Sequence, residues 1–341
     1  MARPTLISLA KELGVSRQTV SNVINAPHLV KESTRQRVRE HIDRSGYRPS
    51  AAARALRTNR TRIVAMRILS NLGTLNGSVM DRYLHAVTEA LEEKGYHPVL
   101  FAAKNEADEL AALRALFETG AVDGAMLSAT TPSDSRPAEL RRLGMPFVAF
   151  GRPWGELEAP HPWVDIDNSV GMEEGTRLLR ERGHTMIGYI GPSNGAMIDR
   201  KRHEGWLNGM QGVDIDLASL DMDVPEVTQR GFEAMQVLRS RGATAAVCGT
   251  DSLALGALSV LYESQVDGFV PAQSIIGYDD SPVAEALGIS SVFQPVEQVA
   301  PLIVDQLIAE LETEGGPTER HTLIPSTLHV RQGRALPVRL G

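Results

Sequence analysis

Four polar residues near the N-terminus have side chains suited to reading DNA bases. The spacing i, i+1, i+4 and i+5 places Arg17, Gln18, Ser21 and Asn22 on one face of a helix. In the major groove, arginine can donate two hydrogen bonds to guanine, and glutamine or asparagine can pair with adenine through two bonds. An ordinary solvated helix face shows the same spacing, so the surrounding sequence must decide between the two interpretations.

Two short helices separated by a glycine would position these side chains. An apolar stripe at helical spacing predicts the first helix: Leu6, Leu9, Ala10 and Leu13. Thr5 is suited to cap its start, and Gly14 to end it. The second helix starts near Ser16 and has Val20 and Val23 on its inward face. This arrangement predicts a helix-turn-helix unit.

A third helix is predicted from Glu32 to Ser45, ended by Gly46. The alanine-rich stretch at 50–57 that follows is too short to be stable as an isolated helix in water. We expect it to fold only against DNA or against a second copy of the chain.

Charge is distributed unevenly along the 341 residues. Residues 1–62 carry 13 Lys/Arg and 4 Asp/Glu, a balance of +9, whereas the remainder has a balance of −16. A basic head on an acidic body is expected when one end alone meets a polyanion, although a solvated basic tail would have a similar composition.

After Arg62, apolar runs alternate with amphipathic helical patterns, which predicts parallel sheets covered by helices on both faces. Two such series predict two similar lobes with a ligand cleft at the carboxyl ends of their strands. The predicted strands lie at 63–66, 99–101, 124–127, 147–150, near 164, 186–190, 245–248, 274–278 and 323–330, with helices at 83–93, 171–182, 200–210, 228–241 and 252–262.

The sequence offers no support for an enzyme, a cofactor or a metal site. It has no Gly-x-Gly-x-x-Gly or phosphate-loop string, no Gly-x-Ser-x-Gly elbow, and no metal-ligand spacing among its nine histidines. Its one cysteine, Cys248, lies in an apolar run and fits a reducing compartment. Without a signal segment or an apolar stretch of ~18 residues, we expect a cytoplasmic protein without a membrane span.

The head resembles the DNA-binding domain of the lactose-repressor/galactose-repressor (LacI/GalR) family. The resemblance rests on ordered strings: Thr5-Leu6, Gly14-Val15-Ser16, Gln18-Thr19-Val20-Ser21, Val23-Ile24-Asn25, Thr34-Arg35, Gly46-Tyr47-Arg48-Pro49 and Ala53-Arg54-Ala55-Leu56. It implies that Arg17, Gln18 and Asn22 face base edges. It also implies phosphate contacts from Thr5, Ser16, Thr19, Asn25 and Tyr47. The segment 51–56, with Arg54, would form a hinge helix that inserts Leu56 into the minor groove.

Three positions depart from the family pattern. Asn22 stands where the family usually has Arg, so the operator sequence does not follow from the family pattern. Ser8 replaces an acidic residue of the first turn, and Lys31, which cannot accept a capping bond, stands where Ser or Thr usually caps the third helix.

The resemblance continues through the body in Gly183-His184, Gly191-Pro192, Gly205-Trp206, Ala254-Leu255-Gly256-Ala257 and Gly277-Tyr278-Asp279-Asp280. It implies a periplasmic-binding-protein-like fold. Arg202 and Asp279 match positions that commonly bind effector hydroxyls or carboxylates, and Thr250 and Asp251 match a pair beside them. A structural salt bridge between Arg202 and Asp279 across the lobes is the alternative.

Two further features concern the effector. Trp154 and Trp163 flank the crossover segment 151–164, where an indole could stack on a sugar or simply pack. The segment Leu69–Val79 lacks the Asn-Pro-Phe-Phe-like string that is common in the family after the first strand.

The predicted fold class is therefore an all-α helix-turn-helix head with an α/β body of two similar parallel-sheet lobes. The predicted domains are 1–48 for DNA binding, 49–61 for the hinge helix and linker, and 62–341 for effector binding and dimerisation. Within the last, we expect a first lobe at 62–162 and 291–320 and a second at 163–290 and 321–335.

The resemblance implies a homodimeric repressor of carbohydrate-utilisation genes that binds a palindromic operator in double-stranded DNA and is released by a sugar. No leucine heptads follow the last strand, so we expect no tetramer. A purine-like co-repressor or a phosphoprotein partner is the alternative to a sugar. A transport-linked sugar receptor would have no use for residues 1–57.

Overall fold

A computed structural model describes residues 4–48, 55, 58, 60–68, 77–131, 133–153, 158–192, 197–264, 270–312 and 321–333. The chain divides into two compact units, Met1–Thr61 and Arg62–Gly341. The predicted hinge segment lies largely outside the described residues, including Arg54 and Leu56, and so does most of Leu69–Val79.

The first unit contains the predicted helix-turn-helix and third helix, α1 (Leu6–Leu13), α2 (Arg17–Asn25) and α3 (Glu32–Ser45). Gly14 and Gly46 end α1 and α3 in the left-handed conformation, with φ of 62° and 65°, which glycine adopts without steric cost. Lys31 makes no side-chain capping bond at the start of α3, as its chemistry predicts. The three helices pack around a small apolar core that includes Leu9, Val20 and Val38.

The second unit contains two α/β lobes, which confirms the predicted fold class. Each lobe has a sheet with six strands among the described residues, in the orders β11-β5-β4-β3-β1-β2 and β12-β10-β9-β8-β6-β7. All pairings are parallel except that of β10 with β12. The strands are β1 (Ile63–Ile68), β2 (His97–Ala102), β3 (Gly124–Leu127), β4 (Phe147–Phe150), β5 (Trp163–Asp167), β6 (Ile187–Gly191), β7 (Asp221–Asp223), β8 (Ala245–Cys248), β9 (Ile275–Tyr278), β10 (Ser290–Phe293), β11 (His321–Pro325) and β12 (Thr327–His329).

Helices cover both sheets because the central strands are apolar along their whole length. Every residue of β3, β6, β8 and β9 is buried, so neither face of these strands meets water. The helices are α4 (Gly77–Glu93), α5 (Glu106–Glu118), α6 (Arg136–Leu143), α7 (Asn168–Glu181), α8 (Met197–Gly209), α9 (Thr228–Ser240), α10 (Asp251–Ser264), α11 (Pro282–Leu287) and α12 (Val296–Glu312).

The predicted lobe boundary at residue 163 is wrong. Strand β5, Trp163–Asp167, pairs with β4 and β11 in the first sheet, so the chain crosses to the second lobe only after Asp167. Helix α7 then packs closely on the second sheet: a side chain at Gly175 would collide with Ile276. Sequence periodicity identifies a strand but not its neighbours, which is why the crossing was placed too early.

The two later crossings also differ from the prediction. Ser291–Phe293, assigned to the first lobe, form part of β10, which pairs with β9 and β12 in the second sheet. The single last strand predicted at 323–330 is two strands, β11 and β12, which belong to different sheets. Ser326 lies between them, where its Oγ donates to the Asp167 carbonyl over 2.7 Å and accepts from the Gly171 amide over 3.1 Å. These bonds tie two of the crossings together.

Within the described ranges, none of the helices is long and apolar enough to span a membrane. The same part of the chain contains no cluster of three or more His, Cys, Asp or Glu arranged to hold a metal ion.

Candidate functional site

The turn before α2 fixes the orientation of the predicted base-reading face. The Ser16 hydroxyl accepts a hydrogen bond from the Thr19 amide over 3.0 Å and lies 2.9 Å from the Thr19 hydroxyl. Val20 and Val23 are buried in the core of the head, whereas Arg17 and Gln18 are exposed. The helix therefore presents its apolar residues inward and its hydrogen-bonding residues outward.

Two side chains of this outer face are hydrogen-bonded to each other. The Gln18 amide nitrogen donates to Asn22 Oδ1 over 2.8 Å, and Asn25 Nδ2 donates to the Ser21 carbonyl over 2.9 Å. The first bond makes Gln18 and Asn22 a coupled pair, so binding to a base edge by one of them changes the hydrogen bonding of the other.

The residues implied to contact phosphates also have structural roles. Thr5 caps α1 by accepting from the Ser8 amide over 3.1 Å, and the Ser8 hydroxyl accepts from the Thr5 amide over 3.0 Å. This reciprocal capping box explains how Ser8 replaces the acidic residue that is common in the family. Tyr47 is buried in the core of the head, so its ring packs against α1–α3.

A cavity of about 360 Å³ lies between the two lobes of the second unit, at the carboxyl ends of several strands. The first lobe contributes residues that follow β3 and β4 and lie on β5. The second contributes residues at the start of α8 and after β9 and β10. Its polar lining includes Ser128, Thr130, Thr131, Arg152, Asp165, Asn168, Asp199, Lys201, Arg202, Glu226, Asp279 and Gln294.

The structure brings Arg202 and Asp279 together in this cavity, but both belong to the second lobe. Arg202 Nη2 is 3.6 Å from Asp279 Oδ1, which in turn accepts from Gln294 Nε2 over 2.7 Å. Arg202 is held further by the Gly249 carbonyl, 2.6 Å from Nη1, and by the Tyr278 ring, whose centroid is 3.8 Å from Cζ. The two side chains therefore form a salt bridge, as the alternative predicted, but it lies within the second lobe and does not cross between the lobes.

Both side chains retain hydrogen-bonding capacity. Arg202 and Asp279 are 4% and 2% exposed, yet Arg202 Nε and Asp279 Oδ2 have no hydrogen-bond partner within the described part of the chain. Burial raises the pKa of Asp279, and the charge of Arg202 opposes that rise. Buried polar atoms of this kind normally require a partner, so the pair has the chemistry to bind a polar ligand.

The first lobe supplies a second ion pair, Arg152 with Asp165, that the sequence analysis did not predict. Arg152 Nε donates to Asp165 Oδ2 over 2.6 Å, while Arg152 Nη2 lies 3.7 Å from Asp167 and has no hydrogen-bond partner among the described residues. The position of Arg152 was a usable signal, because it lies two residues after the end of β4, at the edge of the sheet where the cleft was expected. Phe150 also lines the cavity and stacks on Tyr83, with ring centroids 4.7 Å apart.

A buried ionic cluster supports the loop at 128–131, which lines the cavity. Arg136 donates to the carbonyls of Ser128 and Ala129, both over 3.0 Å, and to the buried carboxylate of Glu109 over 2.8 Å. Ala129 has a φ of 53°, a conformation that a non-glycine residue adopts only when its surroundings hold it. Arg136 is therefore a positioning residue for this wall.

Thr250 and Asp251 do not line the cavity, contrary to the placement that the resemblance implied. They lie at the start of α10, where Asp251 accepts from the Ser281 amide and the Ser291 hydroxyl, each over 2.7 Å. Asp251 is 2% exposed and faces the loop after β9. Its carboxylate thus fixes the segment that carries Asp279 instead of facing the cavity.

The two tryptophans predicted near the crossover have different outcomes. Trp154 lies outside the described residues. Trp163 is buried in β5, where it stacks on His321 at 4.9 Å between centroids, and it does not line the cavity.

Comparison with known proteins matches the head and the body of the chain to two different families. Residues 5–50 match the family described as bacterial regulatory proteins, lacI family, and residues 176–333 match a periplasmic binding protein-like domain. The HTH-type transcriptional regulator CelR of Thermobifida fusca is 33% identical over 90% of this chain and 93% of its own. The ribose operon repressor of Escherichia coli (strain K12) is 29% identical over 94% and 97% of the two chains.

A solved structure extends the similarity to three dimensions. The transcriptional regulator CelR–cellobiose complex has a TM-score of 0.68 and 30% identity, and the match covers 97% of this chain and all of that one. The capped helix-turn-helix, the two-lobed body and these matches lead to one conclusion: the chain belongs to the lacI family of bacterial regulatory proteins and is a DNA-binding transcriptional regulator with an effector-binding domain, not an enzyme.

Proposed function

We propose that this regulator represses carbohydrate-utilisation genes and leaves a palindromic operator when a sugar binds between its lobes. One observation carries the proposal. Around one space, the cavity places donors on Arg202 and Arg152 and an acceptor on Asp279 that have no hydrogen-bond partner among the described residues. A sugar hydroxyl is both a donor and an acceptor, so a polyol satisfies both kinds of group.

The charges around the cavity favour an uncharged ligand. Among the described residues, three cationic and four anionic side chains line it, a nearly balanced set: Arg152, Lys201 and Arg202 against Asp165, Asp199, Glu226 and Asp279. Phe150 adds one aromatic wall. A purine-like co-repressor would instead favour an apolar cleft with few polar groups, and a phosphoprotein partner requires no internal cavity.

Two of the relatives support the same ligand class. A similar regulator was solved with cellobiose, and another is named for the ribose operon. The cavity volume of about 360 Å³ lies at the lower end of the range for small-molecule sites, which suits a sugar of one or two rings.

The two-lobed geometry supplies the allosteric mechanism. A ligand that contacts Arg152 on one lobe and Arg202 on the other favours one angle between the lobes. In the homodimer that we propose, this angle sets the position of the paired hinge segments on DNA. The sugar shifts operator affinity only by its differential affinity for the two arrangements.

The head acts through three groups of residues in this proposal. Arg17, Gln18 and Asn22 read base edges in the major groove. Phosphate contacts fix its orientation through Thr5, Ser16, Thr19, Asn25 and Tyr47, while Arg54 and Leu56 act in the minor groove.

Calorimetric titration of the full chain with a panel of mono- and disaccharides tests the site. Arg202→Met should weaken binding of the recognised sugar at least tenfold, because it removes charged donors from the cavity. Arg230→Met is the matched control, since Arg230 is exposed, lies outside the cavity lining and pairs with Glu233 over 2.6 Å. Unchanged affinity in Arg202→Met would refute the proposed site.

A further inference from the structure

A second groove, of about 450 Å³, lies beside the effector cavity, between α8 and the edge of the second sheet. Pro192 and Asp199 line both spaces, so the groove continues from the cavity at this corner. We call it the α8 groove. Its other lining residues are Tyr189, Gly191, Arg200, His203, Glu204, Leu207, Asp221 and Asp223.

Tyr189 carries a buried hydroxyl in the wall of this groove. The residue is 3% exposed, and its Oη has no hydrogen-bond partner within the ranges that the structure describes. The hydroxyl lies against Gly191, where an added side chain would collide with it, and Gly191 itself lines the groove. Burial raises the pKa of Tyr189, so the phenol stays protonated and remains a hydrogen-bond donor. A donor held in this way fits an acceptor oxygen of a ligand.

The remainder of the groove is rich in hydrogen-bond acceptors. Asp221 and Asp223 belong to the edge strand β7, and Glu204 projects from α8. Asp221 Oδ2 lies 2.9 Å from His203 Nε2, which fixes the ring of that histidine against Tyr189. Among the described lining residues, carboxylates outnumber the cationic groups, so the groove disfavours phosphorylated or acidic ligands and accepts hydroxyl donors.

The groove also has an apolar contact surface. Leu207 is 36% exposed within it, one helical turn beyond His203. A sugar ring needs this combination, because its C–H face packs on an apolar side chain while its hydroxyls bind carboxylates at the edge.

We propose that the α8 groove is a second sugar subsite, so that the effector is a disaccharide or a longer oligosaccharide. The first ring lies between Arg152, Arg202 and Asp279, and the next ring passes Pro192 to reach the Tyr189 hydroxyl. This inference rests on the proposed function, and it adds the size of the sugar and the residues that read its second ring.

The test compares monosaccharides with disaccharides on the full chain. Calorimetric titrations use glucose, galactose, xylose and ribose, followed by cellobiose, maltose, lactose and xylobiose. Tyr189→Phe keeps the buried ring and removes only the hydroxyl, and Asp223→Ala removes one exposed carboxylate of the groove. Glu233→Ala, on the exposed face of α9, is the control.

We expect one disaccharide to bind at least tenfold more tightly than its constituent monosaccharide. Tyr189→Phe and Asp223→Ala should each weaken that disaccharide about three- to tenfold, the size of one net hydrogen bond, and leave the monosaccharide unchanged. Equal affinity for both sugars, or groove variants that bind the disaccharide like the wild type, would overturn the second subsite and leave the first intact. Binding of no sugar would instead refute the proposed function, and the subsite with it.

Discussion

Replacing Asp251 distinguishes a structural carboxylate from a ligand-binding one. Asp251→Ala leaves the Ser281 amide and the Ser291 hydroxyl without their acceptor, in a region where both serines are 1% exposed or less. A buried unpaired donor costs about 1–3 kcal/mol, so the two together should cost about 3 kcal/mol. For a unit of this size, that is roughly 5–10 °C in melting temperature.

Thermal unfolding of the full chain, followed by circular dichroism, measures this loss. Asp214→Ala is the control, because Asp214 is an exposed carboxylate of the same lobe. A variant that melts like the wild type but no longer binds the recognised sugar would refute the structural role and place Asp251 in the effector site.

Three further predictions follow from named contacts. Burial raises the pKa of Asp251 to about 6 from its ordinary value of 3.8, so the stability that Asp251 contributes falls as pH rises through 6. The loss of unfolding free energy in Asp251→Ala should therefore be about 1 kcal/mol larger at pH 5 than at pH 7.5 in paired unfolding curves. Lys31→Ser should raise the free energy of unfolding of the head by about 1 kcal/mol in urea titrations, because it supplies the missing cap of α3, and an unchanged value would contradict that reasoning. Gln18→Ala should weaken operator binding about tenfold and leave binding to unrelated DNA unchanged in gel-shift titrations, whereas an equal loss on both DNAs would show that Gln18 does not read bases.

Local signals in the sequence were sufficient for most individual elements. The third helix was predicted with the bounds that the structure shows, Glu32–Ser45, because an apolar stripe and a terminal glycine mark it. The central strands were equally clear, since Ala245–Cys248 is buried on both faces and therefore continuously apolar. Such patterns depend on near neighbours in the chain.

The pairing of elements could not be predicted in the same way. The residue types of β5 would suit a strand of either lobe, and only its pairing with β4 and β11 assigns it to the first sheet. The pairing of Arg152 with Asp165 likewise depends on β4 and β5 lying side by side in the sheet.

Side-chain direction was the remaining difficulty in the candidate site. The family pattern placed Thr250, Asp251 and Asp279 at matching positions, but the pattern does not contain the direction in which each side chain points. Asp279 lies in the loop after β9 with a φ of 99° and lines the cavity. Asp251 begins a helix and points toward Ser281 and Ser291.

Fluorescence anisotropy with the promoter DNA beside the protein's own gene tests the central claim most directly. The full chain should bind this DNA with a strong dependence on salt, and one sugar of the panel should release it. Tight binding that no sugar alters would contradict release by a sugar and favour a nucleobase or a protein partner as the effector. Failure to bind the promoter more tightly than unrelated DNA would contradict operator recognition itself.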